Sequence, residues 1–152
     1  MDTIEEARDR WLGTWQNTKG SVMRLRLCEI VHSTSPEKSE HFSVTGTYQT
    51  AKGRVPLEVR CPLSGYVTND HIVFSVSFRF EDDGKGEVHS LTAWAGQVLP
   101  DPDNPSNQQL STLWHLVPDL EKGDPEDTYG WVKAWSGADN FKRLSKDPDH
   151  SV

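Results

Sequence analysis

The sequence predicts an all-β protein, a single eight-stranded antiparallel up-and-down β-barrel. Apolar and polar residues alternate with period two along nearly the whole chain, in short runs that end in turn residues. The runs are evenly spaced, and no helical pattern is long enough to cover a sheet. Eight strands suffice to close a barrel, and closure removes the exposed edges of an open sheet. An open sandwich is the alternative, which the even spacing favours less.

Turn and loop residues separate the predicted strands. The turn Asn-Thr-Lys-Gly at 17–20 ends the first strand, a Ser- and Pro-rich loop at 32–40 precedes the third, and a longer connection at 52–62 precedes the fourth. Asn69-Asp70 is a tight hairpin turn, and further loops precede each of the last three strands. In chain order, the predicted strands cover residues 11–17, 21–31, 41–51, 63–68, 71–80, 88–98, 110–117 and 128–136.

The alternation assigns each residue of a strand to an inward or an outward face. The inward face of the second strand is predicted to contain Ser21, Met23, Leu25 and Leu27, and its wet, basic face Val22, Arg24, Arg26 and Cys28. The fifth strand has the clearest pattern, with an apolar face of Ile72, Phe74, Val76, Phe78 and Phe80. Both strands are therefore predicted to contribute one side to the core.

Length and composition indicate one domain of 152 residues. We assign residues 1–10 to a polar lead-in, 11–145 to the barrel and 146–152 to a disordered tail. The net charge of −7 argues against nucleic acid or membrane partners, which require clustered Lys and Arg. No run approaches the ~20 apolar residues of a membrane span. The N-terminus lacks the apolar run of a signal peptide, so we expect a cytoplasmic protein or the trimmed mature form of a secreted one.

Polar residues occupy inward positions at one end of the predicted barrel. They are Asn17, Ser21, Tyr48, Thr50, Ser90 and Thr92. Up-and-down topology brings the turn after the first strand, the end of the third and the start of the sixth to the same mouth. Buried hydroxyls and amides cost roughly 1–3 kcal/mol each when unpaired, so a convergent set predicts bound water, mutual pairing or a ligand. With six Trp residues available as walls, the pattern predicts a small-molecule site.

The order and spacing of eight sequence blocks resemble the avidin and streptavidin family. The blocks are GTWQN at 13–17 with GS at 20–21, GTYQT at 46–50, PLSG at 62–65, FSVSFRF at 74–80, HSLTAWAGQ at 89–97, TLWHL at 112–116, Trp131, and GADNF at 137–141. They cover about residues 12–144, nearly the whole chain. The resemblance implies an avidin-like barrel that binds biotin non-covalently and with high affinity.

The resemblance also implies a role for each polar residue of the site. The ureido carbonyl of biotin would accept hydrogen bonds from Asn17, Ser21 and Tyr48. The ureido N–H groups would donate to Thr50 and to the carboxylate of Asp139. The ring sulfur would lie near Thr92. The valerate carboxylate would meet Ser90 and the backbone amides near Lys52, Gly53 and Arg54, and we expect a direct charge contact with Lys52 or Arg54.

Aromatic residues would enclose the apolar part of the ligand. The resemblance assigns the walls to Phe78, Trp94, Trp114 and Leu116. Trp131 would reach across a subunit interface to close a neighbouring pocket, so it implies a homo-oligomer, either a tetramer or a dimer. Biotin is then a bound ligand, and no cofactor or metal is expected.

Three features depart from the family pattern. Phe78 stands where the family usually has Trp, Lys19 stands where the streptavidin branch has an apolar residue, and the connection at 52–62 is longer and more charged than usual. The alternative function is therefore an avidin- or lipocalin-like barrel that binds a different small molecule. No enzyme is expected, because the six His residues are scattered without metal-ligand spacing and no nucleophile–base pair is visible on the inward face.

Overall fold

The computed structural model describes residues 2–31, 41–51, 59–82, 86–101, 103–104, 107–117 and 135–152, with the backbone alone at 80–82, 86–88 and 135. The elements are a helix α1 (Ile4–Trp11) and strands β1 (Gly13–Asn17), β2 (Val22–Val31), β3 (His41–Gln49), β4 (Cys61–Thr68), β5 (His71–Asp82), β6 (Gly86–Pro100), β7 (Gln108–Val117) and β8 (Trp135–Ser145). In the described part of the chain, no helix has the length and apolar content of a membrane-spanning segment.

The strands form a closed antiparallel barrel in sequence order, which confirms the predicted fold. Each strand pairs with the next, and β8 pairs with β1 to close the cylinder. The shortest connection is the two-residue turn Asn69-Asp70 between β4 and β5, where Asn69 adopts a positive φ of 48°. All inward faces therefore share one interior.

One end of the barrel is filled by tryptophan. Trp15 on β1 is fully buried and donates its indole N–H to the carbonyl oxygen of Trp11 at 3.0 Å. Trp11, the last residue of α1, is equally buried and donates to the carbonyl oxygen of Asn69 at 3.1 Å. Because both indole N–H groups are paired, two large side chains can seal this end without an unsatisfied donor. A small-molecule site inside the barrel must then lie at the opposite end.

Helix α1 differs from the polar lead-in predicted for residues 1–10. Thr3 caps the helix by accepting the backbone N–H of Glu6 at 3.2 Å, and Ala7 and Trp11 are buried against the barrel. The apolar side of the helix contains too few residues for a recognisable helical period, so the sequence pattern did not predict the helix. The first strand accordingly begins at Gly13 rather than at residue 11.

A β-bulge corrects the predicted faces of β2. The pairing with β3 shifts between Leu25 and Leu27, which leaves Arg26 as the extra residue. Leu27 is consequently 55% exposed instead of inward, and Cys28 is 2% exposed instead of outward. A bulge reverses the alternation beyond it, and no feature of the alternation itself reveals where it falls.

The last strand also lies later than predicted. We placed it at 128–136, of which 128–134 fall outside the described residues, whereas β8 spans Trp135–Ser145. It pairs with β7 from Leu116 opposite Trp135 to Gln109 opposite Lys142. Gly137 and Asp139 occupy inward positions in this strand, and such residues are uncommon in strands, which made the segment resemble a loop.

Residues near the C-terminus contact the barrel, whereas we predicted a disordered tail at 146–152. Thr14 donates its hydroxyl to the carbonyl oxygen of Asp147 at 2.8 Å, and Arg24 donates to the carbonyl oxygens of Pro148 and His150 at 2.8 and 2.7 Å. Arg24 is buried beneath this segment. Burial, together with the charges of Arg60 and Arg26, lowers the pKa of its guanidinium. The predicted wet face of β2 is therefore partly covered.

Gly46 on β3 should be intolerant of a side chain. It lies opposite Leu25 at the bulge, and a Cβ there would overlap the backbone carbonyl oxygen of Arg24. A side chain can relieve such an overlap by changing rotamer, but a backbone atom in a paired strand cannot. We therefore expect Gly46→Ala to lower the free energy of unfolding by more than about 2 kcal/mol. Thr45→Ala, at the exposed neighbouring position, should change it by less than about 0.5 kcal/mol. Denaturant unfolding measures both, and equal values would contradict this account of the bulge.

Candidate functional site

The candidate site lies at the barrel mouth opposite the tryptophan-sealed end. The mouth is formed where β1, β3, β5 and β7 end and where β2, β4, β6 and β8 begin. Cross-strand pairing positions its inward residues: Trp94 on β6 lies opposite Phe74 on β5 and Trp114 on β7, and Trp114 lies opposite Gly137 on β8. A Cβ at Gly137 would overlap the Trp114 ring, so glycine there makes room for the indole.

Asn17 organises the polar side of the mouth. Its Oδ1 accepts the backbone N–H groups of Lys19 at 3.0 Å and Ser21 at 2.9 Å, which fixes the turn after β1. Because Oδ1 is committed to the backbone, the amide nitrogen Nδ2 points to Tyr48 Oη at 3.5 Å. Asn17, Ser21 and Tyr48 are all buried. The backbone contacts therefore present Asn17 as a hydrogen-bond donor to the barrel interior.

Tyr48 lies in the same cluster as a neutral phenol. Burial raises the pKa of Tyr48 to about 12, the negative charge of Asp139 acts in the same direction, and a hydrogen bond with Ser21 acts against both. The Ser21 hydroxyl also accepts the backbone N–H of Ala51 at 3.1 Å, which ties the start of β2 to the residues following β3. A phenol with this pKa keeps its proton at neutral pH and can donate a hydrogen bond to an acceptor.

Aromatic rings form the wall facing this cluster. Trp94 stacks on Phe74 with ring centroids 4.9 Å apart and an interplanar angle of 11°. Tyr48 lies 4.9 Å from the Trp94 ring and meets Phe78 edge-on at 5.9 Å. These contacts hold the rings in fixed orientations before any ligand enters. The wall is therefore apolar and rigid, while the opposite side is polar.

Asp139 places a carboxylate in the site. Its Oδ2 accepts the indole N–H of Trp94 at 3.4 Å, and its backbone carbonyl accepts the Thr112 hydroxyl at 2.9 Å. Its Oδ1 lies 3.2 Å from Lys19 Nζ, a charge contact without the alignment of a hydrogen bond. The Asp139 side chain is 7% exposed, whereas Lys19 is 47% exposed. The carboxylate thus belongs to the interior and the ammonium to the rim.

Three buried polar atoms in the site have no hydrogen-bond partner in the protein. They are Thr92 Oγ1, Trp114 Nε1 and Asp139 Oδ1. Elsewhere in the described part of the chain, such atoms belong only to the guanidinium groups of Arg24 and Arg143. Each unpaired buried group costs roughly 1–3 kcal/mol, so Thr92 Oγ1 and Trp114 Nε1 need a partner from outside the protein, either water or a ligand. Asp139 Oδ1 can accept a hydrogen bond in addition to its charge contact with Lys19. The set offers a donor, an acceptor and a hydroxyl that can be either.

The structure brings together most of the residues singled out from the sequence. Asn17, Ser21, Tyr48, Phe78, Thr92, Trp94 and Asp139 are buried at the mouth, and Trp114 is half-buried there. Thr50, Ser90 and Leu116 lie half-buried towards the rim: Thr50 directly follows β3, Ser90 lies opposite Phe78, and Leu116 opposite Thr92. Lys52, Gly53, Arg54 and Trp131 lie outside the described residues.

Two residues of the site were missed. Phe74 stacks on Trp94, and Thr112 supports the backbone of Asp139. Both share the inward phase of their strands with residues that we did select, so the alternation could have identified them. Among the described residues, no group of three His, Cys, Asp or Glu side chains is arranged to hold a metal ion. Cys28 and Cys61 are buried free thiols, and burial raises the pKa of each.

A closed barrel with aromatic walls and polar anchors at one mouth has the architecture of the β-barrels that enclose small ligands. The model of the avidin family matches residues 6–144, and the chain belongs to this family. The family consists of binding proteins. Comparison with curated protein sequences gives no match.

Solved structures of avidin-like proteins share the fold. Xenavidin is 28% identical, with a TM-score of 0.60 over 88% of this chain and 96% of its own. Rhizavidin, solved as a biotin complex, is 24% identical, with a TM-score of 0.59 over 93% of this chain and 98% of its own. A biotin binding protein from chicken is 21% identical, with a TM-score of 0.63 over 88% of this chain and 95% of its own.

The pKa of Tyr48 has a consequence for stability in alkali. A phenol whose pKa rises from 10.0 to about 12 on folding stabilises the fold fully below about pH 10 and loses that contribution as the pH rises to about 12. We expect the native protein to lose up to roughly 2 to 3 kcal/mol more unfolding free energy over this window than Tyr48→Phe does. Tyr66→Phe, which removes an exposed phenol, should follow the native protein. Parallel curves for native and Tyr48→Phe would contradict the buried, neutral phenol.

Proposed function

We propose that this protein binds biotin non-covalently and with high affinity at the open end of the barrel, without a cofactor and without catalysing a reaction. The observation that carries the proposal is the convergence of hydrogen-bond donors and one carboxylate on the same end of an aromatic-walled barrel. Asn17 Nδ2 and Tyr48 Oη lie 3.5 Å apart, and Ser21 bonds to Tyr48. A cyclic urea, with one strong acceptor flanked by two N–H donors, is the complement of such a set.

The polar atoms of the ligand can be matched to those of the site. The ureido oxygen would accept from Asn17, Ser21 and Tyr48, so its polarised form would be favoured. One ureido N–H would donate to Asp139 Oδ1, which has no hydrogen-bond partner in the protein, and the other to Thr50. An analogue without the ureido oxygen would leave buried donors unpaired, which makes the arrangement selective.

The apolar part of biotin fits the remaining surface of the site. The bicyclic ring would pack between Phe78, Trp94 and Trp114, with its sulfur near Thr92 and its tail beside Leu116. The stacked and edge-on ring contacts already fix much of this wall, so little ordering is required on binding. The valerate carboxylate would reach Ser90 at the rim. We keep Lys52, Gly53 and Arg54 as its further partners.

Two relatives support the choice of ligand. Rhizavidin was solved as a complex with biotin, and the chicken protein is a biotin binding protein. The second candidate function, binding of a different small molecule in the same barrel, is favoured by one observation: Lys19 brings an ammonium group to the Asp139 carboxylate. Competition between that molecule and free biotin separates the two.

We also propose a homo-oligomer, a tetramer or a dimer. The outward residues Tyr66, Val73, Ala95, Leu113 and Ala138 form one continuous register row across β4 to β8. Tyr66 is 58% and Leu113 71% exposed, and the exposed pair Leu91 and Val117 extends the apolar surface. A row of this kind on a closed barrel suits a flat interface with a second copy. In that assembly Trp131 would reach the neighbouring pocket.

Titration calorimetry with biotin tests the proposed ligand. We expect one site per chain, and we expect Tyr48→Phe to weaken binding about 10- to 100-fold, because it removes one donor to the ureido oxygen. Thr45→Ala, on the outer face of the same strand, should bind as the native protein does. No heat from the native protein would refute the proposal, and an unchanged affinity of Tyr48→Phe would refute the assigned orientation.

Light scattering after size exclusion tests the assembly. Leu113→Arg places a charge within the apolar row, at its most exposed leucine, and should convert the oligomer to a smaller species at micromolar concentration. The same change at Leu144, an exposed residue of β8 outside the row, should leave the size unchanged. A monomeric native protein would refute the proposed oligomer and the role of Trp131 in a neighbouring pocket, while the calorimetric test of the ligand would stand by itself.

A further inference from the structure

Lys19 makes two contacts with the site that its position in a turn does not require. Its ammonium nitrogen lies 3.2 Å from Asp139 Oδ1 and 5.8 Å from the centroid of the Trp114 ring. Only its backbone is fixed, by the N–H that Asn17 Oδ1 accepts at 3.0 Å. The side chain is about half exposed, so it can swing into solvent while the turn stays in place.

The contact with Asp139 involves the atom most important to the proposed site. Oδ2 is already bonded to Trp94 and Oδ1 has no hydrogen bond, so Oδ1 is the oxygen open to a new donor. A buried carboxylate with one weak hydrogen bond needs a compensating charge, and Lys19 is the cation that the structure places against it. The ammonium and a ureido N–H would therefore approach the same oxygen.

We infer that Lys19 is a specificity-determining residue that caps Asp139 in the free protein, and that a ligand must displace its ammonium from Oδ1 in order to bind. This inference rests on the proposed function. It implies that an N–H group of the ligand replaces the Lys19 ammonium at Oδ1, so that the number of partners of this oxygen does not rise on binding. Part of the binding free energy is consequently spent on breaking an ion pair, and the affinity is lower than the aromatic and amide contacts alone would give.

Ionic strength distinguishes this cap from an ordinary surface lysine. Salt weakens the contact of a half-exposed ammonium with a carboxylate, so displacement becomes easier as salt rises. An uncharged ligand would otherwise bind with little dependence on salt. Biotin amide is the suitable probe, because it keeps the cyclic urea and lacks the carboxylate that could itself respond to Lys19.

The central experiment compares biotin amide binding to native protein, Lys19→Met and Lys142→Met. Methionine keeps the length of the side chain and removes its charge, and Lys142 is exposed on β8, the strand that carries Asp139. We expect Lys19→Met to bind about five- to tenfold more tightly at low salt. Raising the salt from about 0.02 to about 0.5 M should strengthen binding to native protein several-fold and leave Lys19→Met nearly unchanged. Lys142→Met should follow the native protein.

The outcomes separate this inference from the proposed function. If native protein and Lys19→Met both bind biotin amide with the same affinity, the cap is refuted and biotin binding stands. If Lys19→Met binds and native protein does not, the cap is supported in a stronger form. If neither variant binds biotin amide or biotin, the proposed function is refuted and the cap is refuted with it.

A second measurement needs no ligand. The thermal midpoints of Lys19→Met, Asp139→Asn and the double variant form a cycle that isolates the coupling of the two side chains. We expect Lys19→Met to lower the midpoint by about 2 °C when Asp139 is present and to leave it unchanged in the Asp139→Asn background. Equal shifts in both backgrounds would show that the two side chains are not coupled, which overturns the cap whatever the binding data show.

Discussion

The pairing of β8 with β1 is the constraint on which the site depends. It places Asn17 opposite Phe141, and the backbone N–H of Thr18 donates to the carbonyl oxygen of Asn140 at 3.2 Å. This contact joins the two ends of the chain and brings Asp139 beside the turn that contains Lys19. Bringing together residues so far apart in the sequence costs conformational entropy, and the site exists only once the cylinder has closed. Fold and site are therefore completed by the same contact.

The two ends of the barrel use their polar groups in opposite ways. At the sealed end, the indole N–H groups of Trp11 and Trp15 are both bonded to backbone carbonyls. At the mouth, Thr92, Trp114 and Asp139 each keep a buried polar atom without a hydrogen bond to the protein, although Asp139 Oδ1 is in charge contact with Lys19. The first arrangement stabilises the fold, and the second withholds stabilisation that an added partner can supply. This difference in hydrogen bonding distinguishes the two ends of the barrel more clearly than the number of aromatic residues does.

The alternation of residue types predicted the barrel, the location of the mouth and most of the inward polar residues, because period two is a direct consequence of strand geometry. It failed where geometry departs from that period. The bulge at Arg26 reverses the faces of β2, and helix α1 buries only Ala7 and Trp11. Asp139 made β8 resemble a loop, since an inward carboxylate is expensive unless something compensates it. The compensating Lys19 lies at the other end of the chain, and single-sequence patterns do not reveal such pairs.

In the turn after β1, the backbone is fixed by hydrogen bonds, whereas the side chain at position 19 can be exchanged. Asn17 fixes the turn through backbone N–H groups, so its orientation towards Tyr48 does not depend on which side chain occupies position 19. A substitution there can change the charge facing Asp139 while the donors and the aromatic wall keep their places. The cost of such a change in stability is small, because the side chain is half exposed and the turn is held by the backbone. A substitution at position 19 can thus change which ligands a barrel of this kind prefers while the rest of its pocket stays the same. In this chain, that position is occupied by Lys19.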